Sequence, residues 1–234
     1  MVAVGDDAGK RADNVGGVPG SVVSVNVGLP REIEWLGRRA TTSIWKEPVE
    51  GRVEVAGVNV AGDDQADRNF HGGPDKAVYA YAREDYVWWA EELARPVEDA
   101  TFGENLTLEG LDVCAAVIGE RWSIGSTLLE VAGPRTPCWK LGARMNDPEF
   151  PVWFAAAGRP GAYLRIVEEG ALAAGDDVEV VHRPGHALTV GDVAGIYHGR
   201  RSRAKELLRA PELGEEWRAW VQERLAGARP LLPG

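Results

Sequence analysis

Short apolar segments separated by glycine and proline are the feature that most restricts the fold of this chain. Residues 22–28 are rich in β-branched side chains, and residues 41–60 contain further short pieces of this kind, divided by Gly and Pro. Residues 105–111, 120–132 and 163–181 repeat the pattern. Many short strands joined by tight turns are typical of barrels and sandwiches. The chain is therefore predicted to be mainly β, of the α+β type, with a barrel-like core.

Two helical excursions interrupt this pattern. The strand-like segment Ala77–Ala82 is followed by residues 83–95, where large apolar side chains recur at helical spacing. Farther along, the proline after Asp147 favours a helix start and Gly158 favours a stop. A short second helix is expected over residues 148–157.

The composition changes after His182, where a Pro-Gly linker begins. Thr189 with Asp192 three residues later has the spacing of a capping box. Two more apolar patches follow at helical spacing, which predicts three short helices. The expected organisation is a flexible N-terminus over residues 1–20, a main domain over 21–184 and a three-helix domain over 187–226.

Charge and composition exclude several classes of partner. The formal net charge is −10, which disfavours nucleic acid and anionic membrane surfaces. No apolar run reaches the roughly 20 residues that span a bilayer, and the first 20 residues have no apolar signal region. With only two cysteines, a disulfide framework is not expected, so a reducing, cytoplasmic setting is predicted.

The segment from Pro134 to Leu141 is the strongest candidate for chemistry. Two prolines restrict the backbone before Cys138, and Arg135 and Lys140 make the local sequence cationic. Cationic neighbours favour thiolate over thiol, and thiolate is both the nucleophile and the metal-binding form. A structural, buried cysteine is the competing interpretation. Cys114 lies in an apolar run without adjacent charge, so there the structural interpretation is preferred.

Two glycine-containing loops are further candidates. Gly72 and Gly73 lead through a proline toward Lys76, and such a loop can offer backbone N–H groups to an anion. A second bend at Gly103 can present Glu104 and Asn105 to a ligand. Each loop also has a purely structural interpretation as a tight turn, and the sequence alone favours that one.

Five segments in order resemble the MOSC domain, in its YiiM-like branch. They are FHGGPDKAVYAY, REDYVWWAEEL, FGENL, PRTPCWKL and GRPGAYLRIVEEG, and the resemblance extends over residues 22–183. The C-terminal segment is similar to the small three-helix domain that follows the MOSC domain in that branch. The resemblance implies a β-barrel like the small barrel domain of pyruvate kinase.

The resemblance also implies a ligand, molybdenum cofactor (Mo-molybdopterin), with Cys138 as the reactive residue and Mo ligand. The expected activity is reduction of N-hydroxylated compounds such as 6-hydroxylaminopurine, in support of detoxification. Electrons would come from a separate flavin or iron–sulfur reductase that uses NAD(P)H. A homodimer is compatible with the many tryptophans. The expected cofactor-binding residues are Lys46, Arg68, His71, Gly72, Gly73, Lys76, Gly103, Asn105, Arg135, Lys140 and Arg165.

Two other functions stay open at the level of sequence. Cys138 can act as a sulfur carrier through a persulfide, since a reactive thiol supports that chemistry as well. The protein can also bind or store the cofactor without turnover. The cationic surroundings of Cys138 fit all three functions.

Overall fold

A computed structural model describes residues 20–66 and 72–227 of the chain. The strands are β1 (Gly20–Val27), β2 (Arg31–Trp35), β3 (Arg38–Thr42), β4 (Glu47–Pro48), β5 (Val53–Ala56), β6 (Asn59–Val60), β7 (Val78–Ala82), β8 (Leu106–Glu109), β9 (Arg121–Ile124), β10 (Thr127–Pro134), β11 (Ala162–Glu168), β12 (Gly170–Leu172) and β13 (Asp177–His182). The helices are α1 (Arg83–Glu92), α2 (Trp139–Met145), α3 (Phe150–Ala157), α4 (Val190–His198) and α5 (Glu215–Leu225), with 3-10 turns at Pro74–Lys76 and Arg201–Arg209.

Seven of the described strands close into a barrel. The order around it is β13, β9, β10, β11, β7, β8 and β1, and β1 returns to β13 through the pair Gly20↔Val178. Only the pair β7–β8 is parallel among these described pairings, because α1 carries the chain back between the two strands. Closure removes the open sheet edges. The predicted mainly β, barrel-type fold is confirmed.

The barrel interior and the C-terminal helices share one apolar core. Trp122 inside the barrel belongs to the same cluster of buried side chains as Val193 of α4 and Trp217 and Val221 of α5. A segment of about 40 residues buries too little surface to be stable alone, which explains why these helices pack on the barrel. Their apolar faces therefore complete the barrel core.

The helices themselves agree with the sequence pattern in most places. Helices α1 and α3 confirm the predictions over residues 83–95 and 148–157. The Thr189 capping box at the start of α4 is present, with Asp192 N–H donating to the Thr189 hydroxyl at 3.1 Å. The middle C-terminal helix is 3-10 rather than α over Arg201–Arg209. All but the last residue of the N-terminal segment 1–20 lies outside the described residues.

The sequence did not predict two of the elements, a helix after Cys138 and a hairpin before Thr42. Helix α2 begins directly after Cys138, in a segment where prolines suggested only a rigid loop. The β2–β3 hairpin turns at Leu36 and Gly37, both at positive φ. Strand β2 alternates charged and apolar residues only over its last four positions, and β3 does not alternate, so the pattern is too short to separate from a loop.

No helix among residues 20–66 and 72–227 combines the length and apolar character needed to span a membrane.

The contact between β10 and α5 gives a test of how tightly the C-terminal helices hold the barrel. A Cβ added at Gly133 would lie 2.6 Å from Trp217 Nε1, so Gly133→Ala forces the indole or the strand to move. Overpacking of this kind costs about 1–3 kcal/mol. We expect urea unfolding to show that loss of stability. Gly185→Ala is the control, since nothing lies within 4 Å of its added Cβ and stability should not change. Equal stability of both variants would contradict the close packing.

Candidate active site

A cleft at the loop end of the barrel collects most of the predicted residues. It encloses about 690 Å³ of empty space, a figure that includes the solvent in its open mouth. Five chain segments and Tyr163 form its walls. The lining residues are Thr42, Ser43, Ile44, Lys46, Asp63, Asp64, Gln65, Ala66, Lys76, Ala77, Tyr79, Gly103, Asn105, Arg135, Thr136, Cys138, Lys140 and Tyr163.

Cys138 lies in the cleft wall at the point where an extended segment becomes helix α2. Its backbone is extended at φ −128° and ψ 173°, and it occupies the N-cap of that helix. The thiol is free and partly buried. A short segment, residues 134–138, leads from the end of strand β10 to Cys138, and we call it the cysteine arm. Pro134 and Pro137 restrict its backbone, so the end of β10 limits where the sulfur can lie.

Arg135 supplies a buried positive charge beside this cysteine. Its residue is only 6 % exposed, and NH1 donates to the Phe102 carbonyl oxygen at 2.5 Å. The guanidinium also lies over the Tyr79 ring, 5.2 Å from its centroid. Cation–π contact and one carbonyl hold the group in place while leaving its charge without a carboxylate partner among the described residues. Such a cation favours an anionic ligand in the cleft.

Lys46 is held on the opposite wall by a buried carboxylate. Its ammonium group pairs with Asp63, whose other oxygen accepts from Asn105 Nδ2 at 2.8 Å. Asp63 Oδ1 also accepts from the Gly28 N–H at 2.8 Å. Burial lowers the pKa of Lys46, and the Asp63 charge opposes that shift. The Asp63 carboxylate therefore holds this lysine in position and favours its charged form against the effect of burial.

Lys76 and Lys140 complete the cationic lining. Lys76 Nζ lies 2.6 Å from Glu216 Oε2 at the start of α5, so the C-terminal helices reach the mouth of the cleft. Lys140 is 8 % exposed and sits in the first turn of α2. Four cationic side chains and the two carboxylates Asp63 and Asp64 give the lining a formal excess of positive charge in a chain of net charge −10.

The structure brings together seven of the residues predicted from sequence and separates the others. Those that line the cleft are Lys46, Lys76, Gly103, Asn105, Arg135, Cys138 and Lys140. Arg68 and His71 lie outside the described residues. Gly72 and Gly73 are not part of the lining, and the Gly73 N–H is already bound to Gln65 Oε1 at 3.0 Å. The proposed anion nest therefore has one of its donors occupied.

Arg165 lies away from the cleft because other groups bind its guanidinium. It pairs with Asp75 at 2.7 Å and with Glu130 at 2.8 Å, and it donates to the Glu212 carbonyl oxygen at 2.9 Å. These contacts join β10, the loop before β7 and the segment before α5. Arg165 therefore has a structural role, because it holds these three segments together. Its side chain is not part of the cleft lining.

Glu104 and Asn105 serve the scaffold beneath the cleft. Glu104 is fully buried and Oε1 accepts from the Tyr86 hydroxyl at 2.6 Å and the Ala100 N–H at 2.7 Å. Asn105 reaches the lining, but Oδ1 accepts from the Tyr79 N–H and Nδ2 donates to Asp63. Much of the hydrogen-bonding capacity that the Gly103 bend was expected to offer a ligand is therefore used internally.

Of the lining residues that sequence reasoning missed, three bear directly on ligand binding. Asp63 is one of two adjacent aspartates, which sequence alone presents as an ordinary turn. Tyr163 looked like a strand residue, yet its ring packs 5.2 Å from Tyr79 in the cleft wall. Ser43 Oγ is buried in the lining without a hydrogen-bond partner among the described residues. An unsatisfied buried hydroxyl in a cleft is available to a ligand.

Cys114 is in a different environment from Cys138. It is part of a turn rather than a strand, and its Sγ lies 3.9 Å from Asp85 Oδ2. The expectation that no charge lies nearby is therefore wrong. Burial, with the negative charge of Asp85, raises the pKa of the Cys114 thiol to about 12. This cysteine is outside the cleft lining and stays protonated at neutral pH.

Comparison with known proteins gives matches in sequence and in fold. The MOSC domain family matches residues 67–179. The chain is 37 % identical to "Uncharacterized protein YflK" of Bacillus subtilis over 202 residues, 85 % of this chain and 91 % of that protein. It is 31 % identical over 186 residues to a protein named "Reductase" of Gibberella moniliformis, a match that covers 78 % of this chain and 33 % of that protein. The crystal structure of YiiM from Geobacillus stearothermophilus has a TM-score of 0.74 at 34 % identity, covering 88 % of this chain and 100 % of that one.

The buried Lys46–Asp63 pair gives a stability test of the cleft wall. Asp63→Asn leaves a buried ammonium without its counter-ion and sets two amide groups against each other at Asn105. Breaking one partner of a buried pair costs about 3–5 kcal/mol. We expect urea unfolding to show a loss of that order. Asp177→Asn, at an exposed strand position, should change little. A small effect at Asp63 would mean that water solvates the lysine.

Proposed function

Because the chain belongs to the MOSC domain family, we propose that it binds molybdenum cofactor and reduces N-hydroxylated compounds, with Cys138 as the protein ligand of Mo. One observation carries this proposal. The free Cys138 thiol lies in a cleft whose lining has a formal excess of cations, although the whole chain is acidic. A thiolate suits a soft metal centre, and the cations suit an anionic cofactor.

The cleft residues fit the chemistry of this cofactor, a phosphorylated pterin dithiolene. Phosphate recognition needs cationic donors, which Lys46, Lys76, Arg135 and Lys140 supply. A pterin ring needs polar partners at its edges, and the unsatisfied Ser43 hydroxyl is one available group. The Tyr79 and Tyr163 rings add flat apolar surface in the same wall.

Each residue would have a separate role in the loaded protein. Cys138 would hold the metal from the protein side, at the end of the cysteine arm, which two prolines restrict. Arg135, buried beside it, would stabilise the thiolate and negative charge on the cofactor. Lys46, positioned by Asp63, and Lys76, positioned by Glu216, would bind phosphate or pterin oxygens. When bound, the cofactor supplies the two-electron redox chemistry.

The reaction consumes two electrons and two protons. The N–O bond of R–NH–OH breaks, one proton adds to the nitrogen to give R–NH2, and the other adds to the hydroxyl oxygen, which leaves as water. The electrons would come from a separate flavin or iron–sulfur reductase that oxidises NAD(P)H. The relative named "Reductase" is consistent with such chemistry, and the matched region is 33 % of its length. We propose a cytoplasmic setting for this exchange.

Metal and pterin content test the proposal directly. The protein is produced under low oxygen in a host that makes the cofactor, and Mo is measured by mass spectrometry and pterin by fluorescence after oxidation. We expect roughly stoichiometric Mo in the wild type and a sharp loss in Cys138→Ala. Cys114→Ala is the matched control and should keep its Mo, because Cys114 lies outside the cleft lining. Reduction of 6-hydroxylaminopurine with a reductase and NADH should follow the Mo content.

Other outcomes would replace this function with one of its competitors. Stoichiometric cofactor without turnover of any N-hydroxylated compound would favour binding or storage. No cofactor, together with a persulfide on Cys138 detected by mass spectrometry, would favour a sulfur carrier. Equal Mo in wild type and Cys138→Ala would remove the cysteine from the metal site.

A further inference from the structure

The two faces of the β2–β3 hairpin carry different kinds of charge. Strand register pairs Arg31 with Thr42 and Trp35 with Arg38, so these four side chains lie on one face. Trp35 on this face packs near Gly142 of α2, which makes it the inner face. Glu34 and Arg39 pair on the outer face, where they form an exposed ion pair at 2.7 Å. The inner face therefore directs arginines toward the body of the protein.

Aromatic rings beside the cleft receive these inward arginines. The Arg31 guanidinium lies 3.8 Å from the centroid of Trp45, and the Arg38 guanidinium lies 4.5 Å from that of Trp139. Arg144 of α2 approaches Trp45 as well, at 5.8 Å. Three cations are thus gathered around two indoles. We call Arg31, Arg38 and Arg144 the arginine rim.

The charge of the arginine rim is not neutralised by any carboxylate in the part of the chain that the structure describes. Across residues 20–66 and 72–227, none of the three guanidinium groups forms an ion pair with a carboxylate. Nε of Arg144 is buried and has no hydrogen-bond partner there. Burial, and then the like charge of Arg31, lower the pKa of Arg144, while Glu104 and Glu98 oppose the shift. Arg31 and Arg38 are exposed, so they are open to an anionic ligand. Only the buried, unsatisfied Nε of Arg144 costs stability, and such exceptions are typical of binding sites.

The arginine rim is connected to the proposed active site through the chain segments that carry its contact partners. Thr42, the cross-strand partner of Arg31, lines the cleft. Trp45 lies between the lining residues Ile44 and Lys46, and Trp139 lies between Cys138 and Lys140. The three arginines are not themselves in the lining, so a ligand bound at Cys138 would meet the arginine rim with a part that extends beyond the cleft.

We propose that the arginine rim binds a phosphate group of the substrate, so that the preferred substrate is an N-hydroxylated nucleotide rather than the free base or nucleoside. Guanidinium groups bind phosphate through paired N–H donors, and indole rings give a flat surface for a ribose or base. The unsatisfied Nε of Arg144 supplies one such donor. This inference deepens the proposed function, since it names the substrate class of the same site.

Binding measurements test the arginine rim without turnover. The probes are AMP, adenosine and inorganic phosphate, titrated by calorimetry into the loaded protein. We expect AMP to bind at least tenfold more tightly than adenosine. In Arg31→Gln and Arg144→Gln this preference should fall below threefold. Arg39→Gln is the matched control, on the same hairpin but on the outer face with its side chain 80 % exposed, and should keep the full preference. Urea unfolding of each variant checks that it remains folded.

The outcomes separate this inference from the function on which it rests. Equal affinity for AMP and adenosine in the wild type overturns the arginine rim, while turnover of a free N-hydroxylated base would still support the proposed function. An AMP preference without turnover supports the arginine rim and counts against the reductase function. If Arg31→Gln or Arg144→Gln loses pterin as Cys138→Ala loses Mo, the phosphate belongs to the cofactor, and the substrate assignment is overturned. With turnover, Arg144→Gln should raise KM for N6-hydroxy-AMP about tenfold with little change in kcat.

Discussion

The buried Asp63 carboxylate joins three parts of the chain that approach the cleft from different directions. It accepts from the Gly28 N–H after β1, pairs with Lys46 before β4, and accepts from Asn105 before β8. A buried carboxylate is stable only when its oxygens are paired and hydrogen-bonded. The same contacts therefore fix the cleft wall and hold a buried lysine where an anionic ligand would bind.

The opposite wall depends on the packing of the C-terminal helices. The Gly214 N–H donates to the Ala132 carbonyl oxygen at 2.8 Å, and Trp217 covers Gly133, two residues before Arg135. Asp75 accepts from the Glu215 N–H at 2.7 Å. The helices thus support both the cysteine arm and the turn that carries Lys76. Their apolar side chains enter the barrel core, so this support has the rigidity of the interior.

Positive charge in an acidic protein is the property that connects the site with its proposed chemistry. The net charge argues against a general polyanion partner, because it acts over the whole surface. A recessed group of cations responds to near charge and favours a small anion instead. A phosphorylated cofactor beside Cys138 and a phosphorylated substrate at the arginine rim would both use this local reversal of charge.

Local patterns in the sequence were enough to predict much of the fold and part of the site. Strand β7, helices α1 and α3 and the Thr189 cap follow from spacing over a few residues, which the backbone enforces directly. Cys138, Arg135 and Lys140 were found because they are adjacent along the chain. Helix α2 and the β2–β3 hairpin were missed, since their patterns are short and interrupted by charge.

What the sequence by itself determined was therefore the periodicity of the strands and helices, and the reactive segment around Cys138. Only the tertiary structure decided which charged groups meet. In the folded chain Asp63 binds both Lys46 and Asn105. Arg165 pairs with Asp75 and Glu130. Arg31 and Arg144 both contact the Trp45 ring. The physical reason is that ionic partners are chosen by distance in space. Barrel closure brings together residues that lie far apart along the chain, and no local pattern records those distances.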